Sequence, residues 1–309
     1  METNRVAVLI SGWVALDDIE TPYGKVTNSL GGSATCAALA GAIFTKVRLL
    51  AAIGSDFPPE MLELLQEKNI DLSGLEQIQG EETSRWRCRY SEDMSTRVTL
   101  ETKLGVNSFW QPQLPQEWEN SEFLFTAAAD PSQQQKLIQT VGTAKATVID
   151  TIAYFLEASP QNVITAMQKA TFACINDEEA KQLTKKSTIL EAGQFLLDQD
   201  INGTIIKLGE YGVISLTKED HFAATAFPIT QVVDPTGAGD TFVGGFLGSL
   251  DEEGIVTRES IRRAILYGSA TASFVCEDFG PLRLLTLTRH EIEERYQALR
   301  RMTFVEEIV

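Results

Sequence analysis

Histidine is nearly missing from this chain: two in 309 residues, His221 and His290. Acid–base chemistry built on imidazole therefore has few candidates. Cysteine is sparse as well. Cys36, Cys88, Cys174 and Cys276 stand far apart with no C-x-x-C pair, which argues against a zinc site or a disulfide framework and suits a reducing cytoplasm. No apolar stretch reaches the ~18–20 residues of a membrane span. The opening "METNRVAVLISGW" has neither a basic n-region nor a cleavage signature, so a cytoplasmic protein away from the membrane is expected. Positive charge is short: 26 Lys and Arg against 43 Asp and Glu leave a net charge of −17. Such a chain repels nucleic acid, although local backbone N–H groups can outweigh a diffuse field around a single nucleotide. Three familiar signatures are absent too. There is no G-x-x-x-x-G-K-[ST] phosphate loop and no G-x-S-x-G nucleophile turn, and a G-x-G-x-x-G would need glycine at 242, where Phe242 sits.

What is present is a soluble globular composition, 43% hydrophobic and 22% charged, with short apolar runs separated by stretches of helical period. "RVAVLIS" (5–11), "KVRLLAAIG" (46–54), "KATVID" (145–150), "TFACIN" (171–176) and "GTIIKLG" (203–209) read as buried strands. "PPEMLELLQEKN" opens on Pro and sets Met61, Leu64 and Leu65 on one face. "TILEAGQFLLDQ" does the same with Ile189, Ala192, Phe195 and Leu196. Strands alternating with helices predict an α/β fold with a mostly parallel sheet covered on both faces. No repeat, low-complexity tract or linker divides the chain, so residues 1–309 are expected to form a single domain.

One segment breaks the pattern. "TSRWRCRYSEDMSTRVTLET" (83–102) alternates polar or charged side chains with Trp86, Cys88 and Tyr90 around a polar turn. It predicts an antiparallel hairpin with one wet face, either a small β lid beside the main sheet or a plain edge hairpin. Parts of 12–32 are candidates for further lid strands. Arg85, Arg87, Arg89 and Arg97 are expected on the wet face. An exposed lid edge is able to pair with another chain, so a homodimer through the lid is an expectation.

The most informative stretch is "VVDPTGAGDTFVGGFLGSL" (232–250). Pro235 is expected to end a strand, and Phe242, Phe246 and Leu250 recur at i, i+4 and i+8 as a helix stripe. "TGAG" then lies at a helix N-terminus, where free N–H groups and the helix dipole attract an anion. Gly237, Ala238 and Gly239 strip that turn of side chains. A first-turn carboxylate such as Asp240 is often no more than a favourable helix-start charge. Beside a bare anion cradle it fits a base that deprotonates a hydroxyl while the cradle holds a phosphoryl group.

"DPTGAGD" closely resembles the second signature of the ribokinase-like sugar kinases, the PfkB carbohydrate kinase family. Other parts agree in order: "GWVALD" (12–17), "GGSATCAALA" (31–40), the stretch from "IGSDFPPEML", "NDEE" (176–179) as Asn-x-x-Glu, and "KLGEYGV" (207–213). The resemblance implies a central, mostly parallel sheet flanked by helices, with a β lid over the substrate. It implies ATP as phosphoryl donor with magnesium. Asp240 is then the base and the Gly237–Gly239 amides the anion hole. Asp17, placed at the end of the first strand, binds substrate with Gly31, Gly32 and Ser33. Glu179 with Asn176 organises magnesium. Lys207, Gly209, Gly212 and Thr236 face the nucleotide. Asp234 shapes the loop, and carbonyls around Asp234 and Thr236 are implied as a monovalent-cation (potassium) site.

The chain also departs from the pattern. Cys36 stands where the family usually has Asn, Ser33 where ribokinase-type members have Lys, and Lys207 where they have Thr; of the frequent Asp-Pro-Asn only Asp150 is kept. Lys207 is open to either a surface carboxylate or a phosphate. Asp177 and Glu178 read as solvated neighbours of Glu179, and Cys36 as a small packing residue. The expectation is an ATP-dependent kinase acting on an alcohol of a sugar or sugar-like molecule. A nucleoside kinase is the alternative, with Trp13 and Trp86 as candidates for a base slot, and a non-catalytic sensor of sugar or nucleotide is a third.

Overall fold

A computed structural model of the chain describes residues 7–303. In chain order, β1 (Val8–Ser11) leads to β2 (Ala15–Thr21), β3 (Gly24–Gly31) and helix α1 (Ser33–Gly41). Then come β4 (Val47–Gly54), α2 (Pro59–Gln66), β5 (Ile70–Asp71), β6 (Leu75–Ile78), β7 (Ser84–Tyr90) and β8 (Arg97–Lys103). The middle of the chain adds β9 (Phe123–Thr126), α3 (Pro131–Val141), β10 (Ala146–Ile149), α4 (Ala153–Ala158), α5 (Pro160–Met167) and β11 (Phe172–Asn176). The last part supplies α6 (Asp177–Thr184), α7 (Ile189–Asp198), β12 (Gly203–Lys207), β13 (Val213–Thr217), β14 (His221–Ala224), α8 (Ala238–Glu253), α9 (Arg258–Val275) and α10 (Arg289–Thr303).

The five strands expected from apolar runs are all present, although residues 5 and 6 of the first run lie outside the described residues. They belong to one large sheet in the order β14-β13-β12-β11-β10-β9-β1-β4-β5, with β6 also paired to β4. Pairings are parallel except at β12–β13 and β13–β14. Side chains of β1 alternate between two cores. Val8 and Ile10 pack with α1, α8 and α9 on one face, while Leu9 packs with α3, α5 and α7 on the other. Burial on both faces explains why these strands read as continuous apolar runs.

The segment 83–102 is not an edge hairpin of that sheet. β7 and β8 pair antiparallel, and β7 pairs in parallel with β2, which carries β3 on its far side. The result is a separate four-stranded sheet, β3-β2-β7-β8, the expected lid. Three expectations need correction. Asp17 does not end the first strand: β1 stops at Ser11, and Asp17 lies inside lid strand β2. Pro235 does not end a strand either. β14 stops at Ala224, and the backbone N–H of Val233 goes to the Cys276 carbonyl after α9 at 2.8 Å, not to a sheet neighbour. Arg97 does not sit with the other three arginines. Arg85, Arg87 and Arg89 pair with Asp56, Glu101 and Glu20. Arg97, exposed like the rest of β8, is the cross-strand partner of Tyr90 and stacks over Trp86 at 5.0 Å, on the face opposite those three.

Helix α8 is held by close approach to α1. A Cβ on Gly244 would lie 2.2 Å from the Ala37 carbonyl oxygen. In an open helix Gly→Ala gains roughly 1 kcal/mol of propensity. Gly244→Ala is instead expected to destabilise by about 1–3 kcal/mol, as overpacked cores do. Urea unfolding reads the sign, and a stabilised variant would show that the α1–α8 contact is loose.

Candidate active site

Parallel strands deliver their C-terminal ends to one edge, where α/β sheets bind ligands. Ser11, Thr126, Asp150, Asn176 and Lys207 end or follow β1, β9, β10, β11 and β12 at that edge. Buried Gln134 of α3 ties two of these ends together, its Nε2 donating to the Ala127 and Asp150 carbonyls at 2.8 and 2.9 Å.

Helix α8 begins above this edge. Gly237 is its N-cap at φ 77°, a left-handed conformation that suits glycine. A Cβ there would also lie 2.5 Å from the Cys36 sulfur, so Cys36 is packed under the cradle as a small buried side chain. The Ala238 N–H is already given to the Pro235 carbonyl at 3.2 Å, which leaves the Gly237 and Gly239 amides of the three predicted. Asp234 is fully buried. Its Oδ1 accepts from the Thr236 N–H and its Oδ2 from the Gly280 N–H, both at 2.9 Å. Thr236 in turn meets the lid, its hydroxyl lying 3.0 Å from the Tyr90 hydroxyl.

Asp150, Lys207, Glu179 and Asp240 lie near one another on the sheet side of the cleft. Lys207 Nζ lies 2.7 Å from Asp150 Oδ2, with both side chains largely buried. The partner is thus a buried carboxylate, not a surface one. Asp240 sits in the first turn of α8. Burial, then the Asp150 carboxylate, push its pKa up, while Lys207 pulls it down. Glu179 is raised by the same two causes and lowered by Lys207. Asn176 and Glu179 form a reciprocal capping box on α6, at 2.8 and 2.9 Å, so the Asn-x-x-Glu spacing also has a helical role. Among the described residues no three His, Cys, Asp or Glu side chains converge as a metal cage. Gly209 and Gly212, both at positive φ, shape the turn after β12; a Cβ on Gly209 would meet nothing within 4 Å, whereas one on Gly212 would lie 2.0 Å from the Ala224 carbonyl oxygen.

Across the cleft, Gly31 makes room for Asp17: a Cβ there would lie 2.0 Å from Asp17 Oδ2. Gly32 caps α1, whose first residue is Ser33. Asp17 Oδ1 and Ser33 Oγ are buried and find no hydrogen-bond partner among the described residues. Trp86 is half-buried and in register with Asp17 on the neighbouring lid strand. Trp13 packs partly against the core beside α3.

Residues 13–286 match the family model described as pfkB family carbohydrate kinase. The chain belongs to that family. A cytidine kinase from Thermococcus kodakarensis is 29% identical over 248 residues, 78% of this chain and 87% of the relative. Two solved structures share the ribokinase-like fold. The nucleoside kinase of Methanocaldococcus jannaschii has a TM-score of 0.76 at 22% identity, covering 95% of this chain and 98% of its own. Fructokinase from Vibrio cholerae, solved with fructose, ADP and calcium, has a TM-score of 0.78 at 18% identity, covering 95% and 100%. As a pfkB member the chain is a phosphotransferase of the sugar and nucleoside kinase group. Among the described residues no helix is long and apolar enough to cross a membrane.

Tyr90 and Arg97 were not singled out for the site, nor Asp150 as partner of Lys207. Only the inward alternation of the 83–102 hairpin pointed to Tyr90.

Asp17 gives a pH test. Burial, partly offset by the Gly32 N–H and reinforced by Asp234, pushes its pKa up to about 7 from 3.8. Between those values the folded state holds a proton that the unfolded state has lost, so the contribution of Asp17 to stability falls as pH rises from about 4 to 7. Asp17→Asn is expected to flatten that slope and to melt higher than wild type at pH 8. Identical melting curves against pH would mean that Asp17 is solvated.

Proposed function

We propose that the chain transfers the terminal phosphoryl group of ATP, as its magnesium complex, to an alcohol of a sugar or ribose-bearing small molecule. The observation that carries this reading is Asp240 in the same helical turn as the bare Gly237–Gly239 cradle, facing a cleft whose other wall presents the unpartnered Asp17 Oδ1. Asp17 Oδ1 and Ser33 Oγ accept or exchange hydrogen bonds with the acceptor's hydroxyls. As the acceptor oxygen attacks, its proton passes to Asp240, and the Gly237 and Gly239 amides meet the charge on the phosphoryl oxygens. Such transfer needs mainly positioning and charge stabilisation.

The residues fit the donor. The helix start and the 209–212 turn suit a phosphate chain and its nucleoside, with Thr236 at the rim. Asp150, Glu179 and Asp240 outnumber the one ammonium of Lys207, which favours a divalent cation. Magnesium is commonly held by one or two carboxylates, phosphate oxygens and water, so a protein cage is not required; Glu179, oriented by Asn176, is the carboxylate we assign. Magnesium held there would neutralise phosphate charge. We assign a monovalent cation to the loop carbonyls around Asp234 and Thr236. The lid edge β8, exposed along all seven residues, is where a homodimer would pair.

A nucleoside acceptor is favoured over a free sugar by one feature. The half-buried Trp86 is in register with Asp17 on the neighbouring strand; Arg97 covers one face of its ring, and a base stacked on the other would add about 1–3 kcal/mol.

Two variants test the roles. Asp240→Asn keeps size and much of the capping ability but accepts no proton in this way. Turnover should fall on the order of 10²–10⁴-fold, while the melting temperature above pH 7 is held or raised, because burial penalises the Asp240 charge. More than about a tenth of wild-type turnover, less than the usual loss of a base, would exclude the assignment. Glu179→Gln preserves a capping-box acceptor, so folding is kept, while turnover drops and the magnesium needed for half-maximal rate rises. An unchanged magnesium titration would remove Glu179 from the metal.

A further inference from the structure

Lys207 occupies an unusual place for a lysine. It closes β12 at the ligand edge, in register with Asn176 of β11, and reaches across β11 to Asp150 beyond β10. Its tip also lies against the second residue of α8. A Cβ on Gly239 would be 2.9 Å from Nζ and 3.5 Å from Cδ and Cε. The bare turn of the cradle is therefore bare partly because the lysine fills it. Asp150 Oδ2 is the one hydrogen-bond acceptor found for Nζ among the described residues; the other carboxylate oxygen, Oδ1, accepts from the Thr151 N–H at 2.7 Å. An ammonium has three donors, so two remain for a ligand. Glu179 and Asp240 add their negative charge around it.

We infer that Lys207 is a catalytic residue of the phosphoryl transfer, donating from Nζ to the transferring phosphoryl group, and that Asp150 is the positioning residue that aims it at the α8 cradle. This rests on the kinase reading above. In the step, the bond from the acceptor oxygen to the terminal phosphorus forms and the bond from that phosphorus to the bridging oxygen of the donor breaks. The bridging oxygen leaves with the electron pair on the diphosphate, and the acceptor's proton goes to Asp240. Lys207 neither gains nor loses a proton. It contributes charge where three negative oxygens approach a helix start lined by carboxylates, a site that amides alone leave net negative. Asp150 keeps the ammonium protonated and fixed before the donor arrives.

The test compares wild type, Lys207→Met and the double variant Asp150→Asn/Lys207→Met. Removing the lysine alone leaves Asp150 buried without its partner, so a folding defect is expected to confound the single variant; the double variant removes that charge. If Lys207 acts on the phosphoryl group, turnover stays roughly 10²–10³-fold below wild type in both, the usual loss of one transition-state donor. A structural ion pair predicts instead that the double variant recovers wild-type turnover, which would overturn the assignment. Binding gives a second reading without turnover. Calorimetry with magnesium and either ADP or the non-hydrolysable triphosphate AMP-PNP should show that the double variant keeps its ADP affinity and loses most of the wild-type preference for the triphosphate. A wild type that binds both nucleotides, beside a double variant with the same triphosphate preference, overturns the role of Lys207 alone. A wild type that binds neither nucleotide overturns the kinase reading and this inference with it.

Discussion

The Asp234 carboxylate ties the loop before α8 to the turn after α9. It is fully buried, and each oxygen takes one backbone N–H, from Thr236 in the cradle loop and from Gly280 after α9. A buried carboxylate is tolerated only when such donors replace water. The loop is thereby fixed between the end of α9 and the start of α8. Through the Thr236–Tyr90 hydroxyl contact it also touches the lid. Phe279, next to Gly280, packs against the small lid core of Ile19, Cys88 and Tyr90. The anion cradle and the lid are consequently positioned by one short stretch of backbone.

Around that clamp the cleft carries more negative charge than it can balance. Asp17 faces Asp234 and Asp240 from the lid side, and Asp150 and Glu179 approach from the sheet side. Lys207 is the central cation, and Arg97 acts on Asp240 from the lid. Burial of like charges raises carboxylate pKa values and costs folding stability at neutral pH. Functional sites commonly retain such arrangements. Here the imbalance suits a magnesium–phosphate complex, which brings positive charge to the carboxylates and negative charge to the amides and the lysine.

Much of this was legible in the residues. The buried strands announced themselves because a sheet covered on both faces takes mostly apolar side chains. The small residues of "TGAG" marked a turn with no room, and the structure shows what fills it: Cys36 sulfur under Gly237 and the Lys207 tip against Gly239. Other features depended on register, which a single sequence does not carry. The resemblance of "GWVALD" to a first strand implied a strand end at Asp17, whereas the chain leaves β1 at Ser11 and carries Asp17 inside the separate strand β2. Arg97 was grouped with its neighbours, yet the turn and the irregularity between Arg87 and Cys88 set it opposite Tyr90. Lys207 and Asp150 are 57 residues apart, and only the strand order β12-β11-β10 brings them together. "NDEE" illustrates a different limit, since the same spacing serves a capping box and a metal site.

The central claim is that this cleft moves a phosphoryl group onto an alcohol. Phosphorus NMR of the full chain with ATP, magnesium and, in separate samples, ribonucleosides and free sugars observes that step directly. The account predicts a new phosphomonoester signal, split by the protons of the acceptor carbon, growing in equal amount with ADP for at least one acceptor. Formation of ADP with inorganic phosphate alone, or no loss of ATP with any acceptor, would contradict it.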